Sequence, residues 1–322
     1  MKIYKSNFYH GIMFHHFHDY KTHFPSQGSI NANQLEKIIK LVGKKNILNP
    51  KDFINKLNNK QLTKNHVCFT FDDGLKSQFD IACPVLKKFD IKAFFFIYSS
   101  IFTKKPDLLE VFRYFRTTYY KNIDDFYHEF FLFCDPKIFN FLKKKEMEIK
   151  KIKKQISFYS INDIKFRLIR DQFISKKNYN EIMKKMFKSK NFKINSVLKK
   201  LFLNKKDLNK ILNDGHEIGL HSHSHPTKLS RLSFKDQFKE YKINKNYLQN
   251  KISKNFNKII SMSHPCGDYN INTLKILKRM AIEIGFRQMM KKNNKFKNYK
   301  INQSNFEIAR EDHSNLVRKF QI

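Results

Sequence analysis

Tryptophan is absent from this 322-residue chain, and glycine (8), proline (7) and cysteine (4) are all scarce. So few glycines and prolines argue against low-complexity disorder. Cys68, Cys83, Cys134 and Cys266 show no paired spacing, which fits free thiols in a reducing cytoplasm rather than a disulfide framework. No apolar run is long. The longest, residues 93–102, contains two serines and is too short to span a bilayer. The first ten residues lack the apolar core of about 7–15 residues that a secretory signal carries, so a cytoplasmic setting is expected. Acidic residues are in short supply too: Lys and Arg number 64 against 28 Asp and Glu, a formal net charge of +36.

The lysines are spread along the chain rather than gathered in a tail, which fits coding bias together with a general preference for anions. That preference points to a phosphate-bearing substrate or to peripheral contact with an anionic membrane. Nucleic acid is not the expected partner, because neither a zinc-finger pattern nor an aromatic RNP-type strand accompanies the charge. What the chain does hold is apolar material. Hydrophobic residues make up 41% of it, with 34 Phe, enough for a sizeable core in one large domain or two small ones.

The stretch Thr70-Phe71-Asp72-Asp73-Gly74 organises the rest. It ends a β-branched and aromatic run, residues 67–71, that reads as a buried strand. Neighbouring side chains on a strand point to opposite faces, so Asp72 and Asp73 can share a site only where the strand stops and Gly74 lets the chain turn. Adjacent carboxylates raise each other's pKa, a cost that a bound cation offsets; from this stretch alone an Asp-Asp-Gly surface turn is the equal alternative. An earlier run, Gly11 to Phe14, predicts a first strand with His15, His16 and His18 at its exit. Residues 33–42 have helical spacing, residues 77–89 form a helix with Pro84 early in it, and residues 91–98 are so apolar that they must be a central strand. Strand, helix, strand in this span is a βαβ unit and predicts a parallel sheet.

Residues 103–204 break that rhythm. They are aromatic, basic and helical in pattern, and are expected to be a helical insertion capping the mouth of the flanking domain, 1–102 with 205–322. The α/β alternation then resumes. Residues 216–220 form a strand with His221 and His225 at its exit. Ser233 and Asp236 cap a helix whose face carries Phe234, Phe238, Tyr241, Leu248 and Ile252. Residues 259–262 form a strand ending at Ser263-His264-Pro265-Cys266-Gly267, residues 273–280 a helix, residues 283–286 the approach to a strand, and residues 306–309 a last strand before Arg310 and His313.

Three strand exits thus carry Asp72/Asp73, His221/His225 and His264-Pro265-Cys266. In a parallel barrel all strand C-termini open onto one face, where active sites form. One carboxylate oxygen and two imidazoles make three ligands with a position left over, the arrangement of a catalytic zinc site.

Thr70-Phe71-Asp72-Asp73-Gly74 and His221-Ser222-x-x-His225 resemble the first two motifs of the polysaccharide deacetylases, the NodB-homology family. Residues 263–269 look like the third motif, and Gly11 to His15 is similar to the Tyr-His element that opens many members. The resemblance covers residues 11–102 and 205–313. It implies a distorted (β/α)7 barrel that hydrolyses the N-acetyl group of an amino sugar with a divalent metal ion, Zn2+ foremost. It also implies that Asp73, His221 and His225 bind the metal, that Asp72 is the general base, that the backbone N–H of Cys266 faces the oxyanion, and that Ser222 positions its loop. The family's arginine before the third-motif proline is replaced here by Ser263, leaving Arg310 as a candidate to tune Asp72. The general acid falls to His313, at a place comparable to the last motif, with His264 and His15 as alternatives. The substrate would be a nucleotide- or polyprenyl-diphosphate-linked precursor of a surface glycan. Other readings are a hydrolase of another C–N amide such as formyl or ureido, a catalytically silent carbohydrate-binding barrel, and a basic nucleic-acid-binding protein.

Overall fold

A computed structural model describes residues 4–103, 105–155, 160–251, 258–291 and 301–322. It divides into two compact units, Met1–Asp107 with Leu198–Ile322, and Leu108–Val197. In the first, seven strands form one parallel sheet: β1 His10–Phe14, β2 Val67–Asp72, β3 Phe94–Ile97, β4 Glu217–Leu220, β5 Ser261–Ser263, β6 Ile284–Phe286 and β7 Arg310–Asp312. Their order is β6-β5-β4-β3-β2-β1-β7, so β3 is central. A single bridge, Phe286 to Ile308, brings the two ends together into a nearly closed barrel, the distorted (β/α)7 form.

The strands β1, β2 and β3 are buried along their whole length, as strands covered on both faces must be. Alternation sorts their side chains. Cys68 packs in one cluster with Phe94, Phe96, Ile284, Phe286 and Ile308, which the helix Pro50–Asn58 covers through Phe53, Ile54 and Leu57. Other phenylalanines, Phe14, Phe71 and Phe95, stack in sequence at centroid distances of 5.1 and 4.7 Å. Phenylalanine takes the place of the missing tryptophan throughout this core.

Two departures from the sequence pattern bear on the site. The helix expected over 77–89 begins as a wide π turn, Gln78–Ala82, before the α-helix Cys83–Lys88. The last strand is Arg310–Asp312, not residues 306–309, of which only Ile308 makes a bridge. A charged triplet reads as a loop, but here Gly11 and Met13 of β1 pair with Arg310 and Asp312. Gly11 leaves room for the Arg310 side chain, since a Cβ there would sit 3.0 Å from its Cγ.

The second unit is helical, containing the helices Leu109–Thr118, Ile123–Leu132, Lys137–Lys144, Glu146–Gln155, Ile161–Leu168 and Lys176–Ser189. Its own aromatic core includes Phe112, Phe115, Phe126, Phe130 and Phe166. Of the helix face expected after Ser233, Tyr241 and Leu248 are buried, Phe234 is exposed, and Ile252 lies outside the described residues. Among the described residues no helix is long and apolar enough to cross a membrane.

Candidate active site

The site is assembled where β1, β2, β4, β5 and β7 meet. Asp72 is the last residue of β2, and the chain turns at once, with φ of +78° at Asp73 and +66° at Gly74. That turn releases the two carboxylates from opposite faces. Asp73 is a left-handed non-glycine residue, and so are Ser222, His225 and Cys266. Backbone strain of this kind persists only where surrounding contacts enforce it, and it gathers at functional sites.

His221 and His225 leave the end of β4, both buried, and each Nε2 lies 3.4 Å from Oδ1 of Asp73. One ligand atom from each of the three residues can be chosen so that all lie within 4.8 Å of one another. Asp73 Oδ1 is itself buried without a hydrogen-bond partner, an expensive state for a carboxylate oxygen unless something binds it. Donors set tetrahedrally about 2.0–2.1 Å from a zinc ion stand about 3.3–3.4 Å from one another, so the two Asp73–His separations fit a divalent ion. Nδ1 of His221 lies 2.9 Å from the Ser263 carbonyl, which fixes the ring and turns Nε2 toward Asp73.

The loop carrying these histidines is held from the helix Phe234–Lys251. Asn244 accepts the N–H of His221 (3.0 Å) and donates to the carbonyl of Ile97 (3.0 Å), tying the exits of β4 and β3 together. Glu240 accepts the N–H groups of His223 and Ser224 at 3.0 and 2.8 Å and the Ser224 hydroxyl at 2.8 Å. Ser222 accepts the N–H of His225 at 3.2 Å. Asn244 and Glu240 escaped notice in the sequence. The signal for Asn244 was available, because it falls between Tyr241 and Leu248 on the buried helix face, where an amide side chain needs partners.

Asp72 occupies a different environment from Asp73. Arg310 grips it with both arms, Nη1 to Oδ1 and Nη2 to Oδ2, each at 2.7 Å. Ser263 donates to Oδ2 at 3.1 Å and accepts from Arg310 Nη2 at 2.8 Å. Arg310 is anchored in turn by Thr70 and by the Arg287 carbonyl. Burial alone would push the Asp72 carboxyl up. The charges of Arg310, His221 and His15 outweigh burial and hold it below the usual carboxylate range. Gln78, in the π turn, donates to the carbonyls of both Asp72 and His15, at 2.6 and 2.9 Å.

The three histidines considered as proton donors end up in different places. His313 is buried, stacked on Phe14, with Nδ1 and Nε2 facing the carbonyls of Met13 and Gly28 at 3.0 and 2.8 Å. Both of its nitrogens face backbone carbonyls, and burial lowers its pKa. His264 is also buried, stacked on Tyr269 at 4.1 Å and bonded through Nε2 to the Phe306 carbonyl. Burial pushes its pKa down to about 3. His15 differs from both. Its side chain is 21% exposed, with Nε2 3.9 Å from Asp72 Oδ2 and 4.0 Å from Asp73 Oδ2. Cys266, expected beside the oxyanion, lies exposed in the short turn Pro265–Gly267 after β5.

The family profile described as polysaccharide deacetylase matches residues 59–114 and 173–285. The chain belongs to that family, hydrolases that remove N-acetyl groups from carbohydrates with the help of a divalent metal. Solved structures share the fold. A Streptococcus pyogenes deacetylase, PplD, solved with acetate, is 17% identical with a TM-score of 0.53, covering 97% of this chain and 98% of its own. A de-N-acetylase from Aggregatibacter actinomycetemcomitans is 14% identical with a TM-score of 0.54, covering 97% and 99%. A polysaccharide deacetylase from Bacillus cereus is 12% identical with a TM-score of 0.52, covering 98% of this chain and 68% of its own. No curated protein sequence matches the chain.

Proposed function

We propose that this chain is a divalent-metal-dependent hydrolase that removes the N-acetyl group from an amino sugar on a phosphate-bearing carrier. The observation that carries this reading is the pairing of two unlike aspartates at the end of β2. Asp73 faces His221 and His225, and Asp72 faces Arg310.

Asp73, His221 and His225 would hold the ion, for which zinc is our choice, and the ion would serve as a Lewis acid for the amide carbonyl and the attacking water. Asp72 is the general base. Arg310 and Ser263 fix its orientation, and Oδ1, bonded among the described residues to Arg310 alone, keeps an acceptor position for the proton of that water. His15, in place of His313, is the general acid. It reaches over both carboxylates from the partly exposed side and can protonate the leaving nitrogen as the C–N bond breaks. The backbone N–H of Cys266 is assigned to the developing oxyanion and Ser222 to positioning the ligand loop.

The helical unit contributes none of these side chains, and we assign it substrate selection rather than chemistry. Four cysteines outside any disulfide support a cytoplasmic setting. The excess of Lys and Arg, 64 against 28 Asp and Glu, supports a nucleotide- or polyprenyl-diphosphate-linked glycan precursor and peripheral contact with anionic lipid.

Acetate release from phosphorylated and free N-acetyl sugars, before and after chelation, tests this reading. Metal-dependent release, with kcat/KM on the phosphorylated donor falling steeply as ionic strength rises, is expected. Equal, salt-independent rates on both substrates would remove the carrier assignment, and no release from any N-acetyl sugar would remove the activity.

A further inference from the structure

Phe14 and Phe71 are the last residues of β1 and β2 that pair in register. The next two residues, His15 and Asp72, are the proposed acid and base. A side chain from the π turn bridges them. Gln78 is fully buried, and its Nε2 donates to the His15 carbonyl at 2.9 Å and to the Asp72 carbonyl at 2.6 Å. A side-chain amide nitrogen has two hydrogens, so both are committed to this bridge. Its Oε1 is buried without a partner among the described residues, which is unfavourable for an acceptor. Leucine or methionine would fill the same space without that cost, so the use of an amide here lies in the bridge.

The same π turn reaches the β1 exit a second time. Asp80, two residues after Gln78, has its Oδ2 2.9 Å from Nε2 of His23. His23 belongs to a tightly closed turn. Asp19 Oδ1 accepts the N–H groups of Lys21, Thr22 and His23 at 2.9, 2.8 and 2.9 Å, and the Asp19 N–H donates to the His23 carbonyl at 2.9 Å. The segment that carries His15 is thus held at residue 15 from the buried side of the π turn and at residue 23 from its exposed side. Single π turns are rare and occur frequently at functional sites. Fixing the His15 carbonyl fixes the peptide plane beside its Cα, and the His15 ring stands with Nε2 3.9 Å from Asp72 and 4.0 Å from Asp73.

We infer that the π turn Gln78–Ala82 is a clamp that sets His15 against Asp72, with Gln78 the positioning residue on its buried side and Asp80 on its exposed side. The inference rests on the acid and base roles proposed above.

The test follows acetate release, metal content and thermal unfolding in Gln78→Met, which keeps the bulk and removes both donors, and in Asp80→Ala, at an exposed position. Each is made alone and in a His15→Ala background. Gln78→Met should lower kcat by about 10–100-fold, the scale of a displacement of about 1 Å at a reacting group. KM should stay within about twofold and metal content should not change. Asp80→Ala should lower kcat by about three- to tenfold. Neither should lower it further once His15 is gone, because residues acting as a unit are not additive. Undiminished kcat in both variants overturns the clamp. So does loss of metal, or a loss of rate that persists in full without His15, since either would make Gln78 a structural support alone. Should Gln78→Met fail to fold, Asp80→Ala with and without His15 decides. A His15→Ala protein as fast as the parent, or a parent that releases no acetate, removes the reading above and the clamp with it.

Discussion

Arg310 and Asp72 form a two-pronged ion pair, 2.7 Å at each prong, with side chains only 1% and 3% exposed. The planar guanidinium matches the carboxylate fork, which an ammonium cannot do. Removing one partner from a buried pair leaves the other charge stranded, at a cost of about 3–5 kcal/mol. Arg310→Ala should therefore lower both thermal stability and turnover. Arg310→Lys should recover part of the stability yet remain about 10²-fold slow in kcat, because charge returns without alignment. Unfolding curves set beside steady-state rates distinguish the two effects. Full turnover in the lysine variant would show that orientation of Asp72 is unimportant.

Asp73 and Asp72 should separate cleanly under mutation. Asp73→Ala and His221→Ala are expected to lose stoichiometric metal and, with it, activity. Asp72→Asn should retain metal and lose about 10²–10⁴-fold in rate, the usual contribution of a positioned base. Metal content by atomic spectroscopy decides between them, and a metal-free Asp72→Asn protein would mean that the aspartates share the ion.

His15→Ala should reduce kcat by about 10²–10⁴-fold and remove the alkaline limb of the rate profile, where a general acid loses its proton. His313→Ala should act on stability instead, since it strips partners from the carbonyls of Met13 and Gly28. The pH dependence of kcat is the readout. The same loss of limb in His313→Ala would return the donor role to that residue.

Glu240→Gln should weaken metal affinity by about 10–100-fold, the scale of disturbing groups that hold ligands in place. Its carboxylate gathers the backbone N–H groups of His223 and Ser224, between His221 and His225. Competition with a chelator measures this directly, and unchanged affinity would show that the loop holds its shape unaided.

Glu217, at the start of β4, should make the protein less stable as pH rises. Burial, reinforced by the charge of Glu283, pushes its pKa up from 4.5 to about 7, and its Oε1 is buried without a partner. Folding therefore favours the protonated form. The contribution is fully present below pH 4.5 and is lost as pH rises through 7, at most about 3 kcal/mol. Glu217→Gln should match the parent at pH 4.5 and exceed it at pH 8. A stability difference independent of pH would discard this account.

The motifs were legible in the sequence because strand exits announce themselves: an apolar run stops, a carboxylate or imidazole follows, and glycine or proline turns the chain. Asp72, Asp73, His221 and His225 all follow that rule. Arg310 does not. Its strand is three residues long and charged throughout, so the sequence shows a loop, and only Gly11 opposite, leaving space for the arginine stem, hints at the pairing. His313 shows the converse. It follows the last strand in a place comparable to the family's final motif, but the ring turns into the wall against Phe14. Which way a side chain leaves a strand end depends on backbone angles that residue type alone does not determine. Asn244 and Glu240 were hidden because a helix that buries one polar residue looks, in sequence, like a helix with an imperfect stripe.

The barrel is closed at one place by the Phe286–Ile308 bridge, where the Arg287 N–H donates to the Ile308 carbonyl and the Ile308 N–H to the Gly285 carbonyl, each at 2.9 Å. Arg310 crosses that join: Nε holds the Arg287 carbonyl on one side, and the two Nη groups hold Asp72 on the other. Opening of the join would therefore loosen the hold of Arg310 on Asp72. Hydrogen exchange at the Arg287 and Ile308 amides would report that opening, and an added cross-link there should slow it at the barrel's side while the residues at its mouth stay unchanged.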